Sequence, residues 1–540
     1  MDIKEYFLSM LKFKSKGNGL DNTAKIVIKD KNIKQSKKSS TSSVSSAKTE
    51  HPSGKIKDTA PKNINSQKED KNKSAIKVIK EHVLNHIVEV GNQYNGNVFA
   101  SNCNEYVPAI NKDELSKLNS SDGMLITIGL DFGTHQTKVC IECKGGVELS
   151  YTFLKYKGPD NKMYYTLPSI IGIDSNNKLH YGYLPKKFNG KIIRYFKQTV
   201  FRGSSHNDSG QDSISQDTAF YYSTWYIAYI LFELEDVFGP NFTIQMGAPT
   251  DSIHINQAKQ IATRIIASAY KLVEDVFGND KKRFLNTDYN TLKEITEIVS
   301  YTRDLKDSYG LLVFPEAYAC LKPLTAQRKI KNGYMNLMID IGGGTTDISF
   351  FTTQQNKPQL YDFFSINKGL NYLTLSDDKS PAQLDSNIKN ENEIDSERLN
   401  AFIQKIKDIC YQIEQNVIRE FKIKYPSLYI KTVYTGFKNR PLVYSGGGST
   451  FASLRLGYGG FIDIKQISES EWNTKVVTQI KEIKSNKLFS ILSTAYGLAI
   501  STENDDIPMT SYDDFFKEVV PYSESDRREF NYTDDYSAIK

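Results

Sequence analysis

Three glycine-bearing loops hold the residues of this chain whose types and spacing could do chemistry. The first reads Ile128-Gly129-Leu130-Asp131-Phe132-Gly133-Thr134-His135-Gln136-Thr137-Lys138. The second reads Met338-Ile339-Asp340-Ile341-Gly342-Gly343-Gly344-Thr345-Thr346-Asp347, and the third Val443-Tyr444-Ser445-Gly446-Gly447-Gly448-Ser449-Thr450. Backbone N–H groups in tight turns can reach phosphate oxygens, and glycine permits that close approach. A carboxylate beside such a turn can hold Mg²⁺ through the metal's own waters, because Mg²⁺ keeps several of them and takes few protein ligands. Asp131 and Asp340 each end an apolar run before a turn, and Thr134, Thr137, Thr345 and Thr346 add hydroxyls. One such loop is usually only a hairpin. Two in order, with a third glycine loop after them, point to a site for ATP or ADP with Mg²⁺, split between two lobes.

Strands must aim these loops. Residues 125–130 read as a strand ending in the first turn, and 138–142 as the strand returning from it. Further strands are expected at 168–173 and 242–246, and helices at 219–237 and 256–275. A strand meander at 334–340, 348–352 and 359–366 surrounds the second loop. Residues 397–424 are helical in period, 442–445 form a strand before the third loop, and 488–500 hold a last helix. Strands and helices alternate in two sets, which predicts an α/β chain of two lobes.

The 540 residues exceed what one hydrophobic core serves. No apolar run approaches the roughly 20 residues of a membrane span, and residues 1–16 lack the pattern of a secretory signal. Five cysteines make no disulfide framework, which together with these absences points to the cytoplasm. Cys140 and Cys143 form a C-x-x-C within a strand, where side chains three apart face opposite ways and cannot share a metal. They read as two half-buried thiols. Residues 1–74 hold 17 lysines against 8 carboxylates, so +9, and the rest of a chain of total charge +6 is −3. The basic character thus sits in the leader, which argues against a nucleic-acid-binding domain.

Residues 1–74 read as a disordered basic leader. Within it Ile3, Phe7, Met10 and Leu11 mark one face of a short helix at 3–13, followed by Lys12, Lys14 and Lys16, a candidate membrane-surface or partner contact. Residues 75–124 read as a partly helical linker, with Ile76, Ile79, Val83, Ile87 and Val90 at helical spacing. His82 and His86 there read as surface histidines. The polar stretch 377–395 reads as an inserted loop, and 504–540 as an acidic, aromatic tail able to dock a protein partner.

With these loops in hand, residues 125–503 resemble the actin, hexokinase and seventy-kilodalton heat-shock chaperone ATPase superfamily, and within it the DnaK-type domain. The first two loops look like its two phosphate motifs, and Gly446-Gly447-Gly448-Ser449-Thr450 like its adenosine motif. Phe314-Pro315-Glu316-Ala317-Tyr318-Ala319 and Ser493-Thr494-Ala495-Tyr496-Gly497-Leu498-Ala499 resemble its two connecting helices, whose small residues would let them cross at a hinge. The resemblance implies an actin-like fold of duplicated ribonuclease-H-like lobes, at about 125–325 and 326–503, with a nucleotide cleft between them. It implies that Asp131 and Asp340 hold Mg²⁺ through water, and that Glu316 orients the attacking water. Lys197, in Arg194-Tyr195-Phe196-Lys197-Gln198, would neutralise charge on the γ-phosphate; the alternative is a surface lysine. Gly133, Thr134, His135, Gln136, Thr137, Gly342, Gly343, Gly344, Thr345, Thr346, Gly446, Gly447, Gly448, Ser449 and Phe451 would line the nucleotide.

The chain departs from the family at several points. His135 and Gln136 replace a Thr-Asn pair, Phe451 stands where the family has an adenine-stacking arginine, and the Glu-Pro pair is reversed to Pro315-Glu316. About 37 residues follow Glu503, too few for the chaperones' peptide-binding module. The expected function is an ATP-binding, slowly hydrolysing, chaperone-like switch without that module. The alternatives are an actin-like filament-forming ATPase and a small-molecule kinase or degenerate pseudo-ATPase. For a kinase Asp251 is a candidate base, although a helix N-cap is the plainer reading of it.

Overall fold

Leu125–Asp131 (β1) buries six of its seven residues, as a strand covered on both faces does. The structure, a computed structural model, describes residues 110–116, 124–145, 148–185, 187–202, 214–249, 255–299, 311–326, 336–354, 357–374, 394–424, 442–456, 461–463, 477–485 and 488–502. The readings made for the leader, the helical island at 76–90 with its two histidines, Asp251 and the tail fall outside these residues, as does the polar stretch apart from Ile394 and Asp395.

Helix Lys112–Ser116 (α1) precedes β1 and buries Leu115. Gln136–Gly145 (β2) and Glu148–Phe153 (β3) add antiparallel partners to β1. Tyr156–Lys157 (β4) and Met163–Tyr164 (β5) make a small hairpin, and Leu167–Pro168 (β6) pairs with β2. Ile171–Asp174 (β7), Leu179–Tyr181 (β8) and Gly190–Ile193 (β9) form a three-stranded sheet. The single strand expected at 168–173 is therefore two. Between them Ser169 turns its N–H to the His135 carbonyl, 2.8 Å away, and fixes the first glycine loop.

Phe196–Arg202 (α2) leads to Gln216–Phe238 (α3), which is apolar almost all round, as a buried helix is. Its start is capped by Ser215, which accepts from Thr218 N, and its end by Gly239. Thr243–Ala248 (β10) returns parallel to β1. Ile255–Tyr270 (α4) gives way to a π-helical turn, Lys271–Val276, so the long helix expected at 256–275 changes its hydrogen bonding at Tyr270. After Lys281–Asn286 (α5) and Tyr289–Val299 (α6), Leu311–Pro315 (β11) lies parallel to β10. The first sheet thus runs β11-β10-β1-β2-β3.

Glu316–Ala326 (α7) leaves β11 without a linker. Asn336–Ile341 (β12), Thr346–Gln354 (β13) and Lys357–Ile366 (β14) form the expected meander. Leu370–Thr374 (α8) and the 29-residue Ser396–Lys424 (α9) follow. Phe402, Ile406, Ile409, Ile413, Val417 and Phe421 give α9 one apolar stripe. Leu442–Ser445 (β15) lies parallel to β12 and Phe461–Asp463 (β16) parallel to β15, so the second sheet runs β14-β13-β12-β15-β16. Both sheets follow one plan, an antiparallel meander of three with two parallel strands added beside the first. This is the duplicated, two-lobed α/β architecture that the resemblance implies.

Val477–Ser485 (α10) and Phe489–Ala499 (α11) end the described chain. The helix that follows the first sheet packs on β14 of the second, and α11, which follows the second sheet, packs on β1 and β2 of the first. The two helices cross where a Cβ on Gly497 would collide with the Ala319 carbonyl oxygen. A core of Phe314, Leu321, Met338, Phe363, Leu492 and Leu498 surrounds the crossing. Cys140 and Cys143 point into different cores from opposite faces of β2, as their spacing predicts, but both are fully buried rather than half-buried. Burial pushes both thiols up, Cys143 to about 11.

Candidate functional site

The equivalent strands of the two sheets, β1 and β12, carry Asp131 as the last and Asp340 as the next-to-last residue, and both carboxylates line one cleft of about 600 Å³ between the lobes. In the antiparallel ladder Asp131 sits opposite Lys138, and Asp340 sits opposite Asp347. The two turns are therefore the same length and differ in charge. Lys138 Nζ donates to Asp131 Oδ2 at 2.7 Å, whereas Asp340 faces a second carboxylate.

Of the residues expected at the site, Asp131, Gly133, Thr134, His135, Gln136, Lys197, Glu316, Asp340, Gly342, Gly343, Gly344, Thr345, Gly446, Gly447 and Phe451 line the cleft. Thr137, Thr346, Gly448 and Ser449 stand behind its wall. The Thr137 hydroxyl meets that of Ser169 at 3.1 Å, and Thr346 Oγ1 donates to the Lys368 carbonyl at 2.9 Å. These two hydroxyls brace the loops from behind.

The loops touch each other. A Cβ on Gly343 would lie 2.5 Å from the His135 ring, so a side chain there would push the lobes apart. Gln198 Nε2 donates to the Gly344 carbonyl at 3.1 Å, a hydrogen bond from the first lobe to the second. The third loop enters through Gly446 with φ +76°, where a Cβ would strike Asp340 Oδ1. Only glycine takes that backbone conformation and that contact readily. The loop continues as a short 3₁₀ turn, Gly447–Thr450, before Phe451. Phe451 lies on the cleft wall and in the core of the second lobe.

Lys197 is not a surface lysine. It is 6% exposed, and its Nζ donates to Glu316 Oε1 at 2.6 Å across the chain between α2 and the start of α7. Asp131, Glu316, Asp340 and Asp347 thus share the cleft floor with two ammonium groups. Burial, then Asp347 and Asp131, push Asp340 up to about 8, and Lys138 offsets part of this. Burial pushes Asp347 up to about 6 against a hydrogen bond from Ser365. Burial works against the Lys138 ammonium, yet Asp131, Asp340 and Glu316 hold its pKa above the ordinary value. Four carboxylates against two ammonium groups leave an acidic excess on the floor that an added cation would offset. Among the described residues no group of three or more His, Cys, Asp or Glu side chains is placed to hold a metal ion directly.

Similarity to known proteins is confined to structure. No protein-family model matches the chain, and no curated protein matches it in sequence. Among solved structures it is similar to MreB5 of Spiroplasma citri bound to AMPPNP, at 13% identity and a TM-score of 0.33, over 67% of this chain and 97% of that one. The ADP-bound form of the same protein aligns at 14% identity and 0.35, over 67% and 98%. The archaeal actin homologue Ta0583 aligns at 13% and 0.34, over 69% and 98%. At these scores the alignments add nothing to the strand order and the cleft geometry.

Several cleft residues escaped the sequence reading. Lys138 and Asp347 stand seven residues after their aspartates, and hairpin register was the signal that could have found them. Lys162, Met163 and Tyr164 of the β4–β5 hairpin, Tyr165 just after it and Glu482 of α10 also line the cleft. The Tyr165 hydroxyl donates to Glu482 Oε2 at 2.7 Å. Leu370, Leu488, Ser490, Ile491 and Thr494 complete the wall near the third loop. Motif spacing gives no hint of these, since they come from elements far apart in sequence. Among the described residues no helix is long and apolar enough to cross a membrane.

Proposed function

We propose that this chain binds ATP as its magnesium salt in the interlobe cleft and hydrolyses it slowly to ADP and phosphate, opening and closing about the crossed helices. The observation that carries the reading is the pairing of Asp131 and Asp340, which lie at the C-terminal ends of equivalent strands of two equivalent sheets and line one cleft. The residues fit the group: glycine turns of all three loops line the cleft, a carboxylate excess calls for a cation, and the volume lies within the range of small-ligand sites.

In this reading Asp131 and Asp340 hold the hydrated Mg²⁺, and the first two loops offer N–H groups to the phosphates. The bound magnesium nucleotide supplies a polarised terminal phosphoryl group. Lys138 and Lys197 balance the negative charge there, and Lys197 needs no large movement because Glu316 already anchors it at the cleft floor. In the same reading Glu316 and Asp347, which line the cleft, would orient a water and accept its proton. The DnaK-like motif set favours water as the acceptor over a sugar. The crossing at Gly497 and the Gln198–Gly344 bridge tie cleft closure to the two lobes' relative position, a hinge device.

The test is phosphate release from ATP with Mg²⁺ and no added acceptor. Wild-type protein should release phosphate, and Asp131→Ala and Asp340→Ala should reduce the rate by orders of magnitude while leaving the fold intact. Wild-type protein that released none, or variants that matched it, would remove the hydrolysis reading. ATP-dependent sedimentation at micromolar protein separates the switch from a filament former: the switch stays in the supernatant.

A further inference from the structure

We infer that the first turn of α11, with the Ser490 hydroxyl, is a further phosphate-reading element of the cleft, outside the three glycine loops. The inference rests on the nucleotide reading above and adds a contact that none of its motifs assigns. Helix α11 has 11 residues and starts after Leu488 with no side-chain hydrogen bond capping it. The first N–H groups of a helix need acceptors from outside, and its positive end favours an anion. Leu488, Ser490, Ile491 and Thr494 place this turn on the cleft wall.

The second observation is independent of the helix end. Ser490 is 1% exposed, and its hydroxyl has no hydrogen-bond partner. A buried hydroxyl without a partner is a cost to the folded protein unless a ligand satisfies it. The turn is also fixed in place. The Ser490 carbonyl accepts from Gly446 N at 3.0 Å and from Ser493 Oγ at 3.2 Å. The helix start is therefore clamped to the first residue of the third loop, on the nucleoside side of the cleft. A hydroxyl donor at the positive end of a helix suits an anionic oxygen, and this position belongs to the phosphate nearest the nucleoside.

Ser490→Ala tests the inference, with ADP and adenosine titrated by calorimetry in Mg²⁺ and melting followed without ligand. The hydroxyl bonds nothing in the protein, so the variant should melt at the wild-type temperature or above it. Its ADP affinity should fall about tenfold or more, the effect of losing a hydrogen bond to a charged acceptor, while adenosine affinity stays unchanged. Unchanged ADP affinity, a loss shared equally by adenosine, or a lowered melting point would each overturn it. Wild-type protein that failed to bind ADP would instead overturn the nucleotide reading itself, and this inference with it.

Discussion

Replacing Lys197 by Met should destabilise the nucleotide-free protein by about 3–5 kcal/mol, the cost of leaving one partner of a buried ion pair alone. The side chains of Lys197 and Glu316 are 7% and 13% exposed, and their charged atoms lie 2.6 Å apart. Without the ammonium, Glu316 remains on a floor that also holds Asp131, Asp340 and Asp347. Glu316→Gln alone should also destabilise, because it strands Lys197 in turn. The double variant, neutral at both positions, should recover at least about 2 kcal/mol of the summed losses, a coupling normal for residues in direct contact. Urea unfolding of wild type, both single variants and the double variant at one pH gives the cycle. Single losses under about 1 kcal/mol that simply add would refute the buried pair, and with it the claim that the cleft floor is charge-balanced by Lys197.

Other sites give independent checks. Glu235 on α3 is buried with both carboxyl oxygens unpartnered, and burial, then Glu274, raise its pKa from 4.5 to about 7. The folded state therefore keeps a proton that the unfolded state releases, so stability falls as pH rises from about 4.5 to about 7, by about 3 kcal/mol in all. Glu235→Gln should match wild type near pH 4 and melt higher at pH 8; parallel pH profiles would contradict this. Gly497→Ala drives a Cβ into the Ala319 carbonyl and should cost about 3 kcal/mol in a melt, with an unaffected melt ruling out the tight crossing. Gly446→Ala meets both a positive φ, worth about 1–2 kcal/mol, and the Asp340 carboxyl. It should weaken nucleotide binding beyond its effect on stability, and wild-type affinity would contradict the placement of the third loop.

The two lobes were legible because their signals are local. Residues 125–130 and 442–445 are short apolar runs that stop at glycine turns, and the observed strands begin at the same residues. Apolar spacing likewise found Ser396–Lys424 almost to the residue. What escaped depends on distance in the chain. Lys138 and Asp347 were in plain view, but their roles come from ladder register, which places them opposite the two aspartates. Ser490 and Glu482 reach the cleft only because α10 and α11 fold back against the first lobe. The burial of Lys197 could not be read from a segment dense in basic residues, since its partner Glu316 lies 119 positions away. The long helix from Ile255 was read through to 275, since apolar spacing alone does not distinguish an α-turn from the π-turn at Lys271.

Calorimetric titration of ADP and ATP into the full chain, with and without Mg²⁺, tests the shared cleft most directly. The account predicts one nucleotide per chain, tighter with Mg²⁺ than without it, and binding lost when Asp340 is replaced by Ala. Absence of heat with either nucleotide, joined by an unchanged melting temperature, would contradict it.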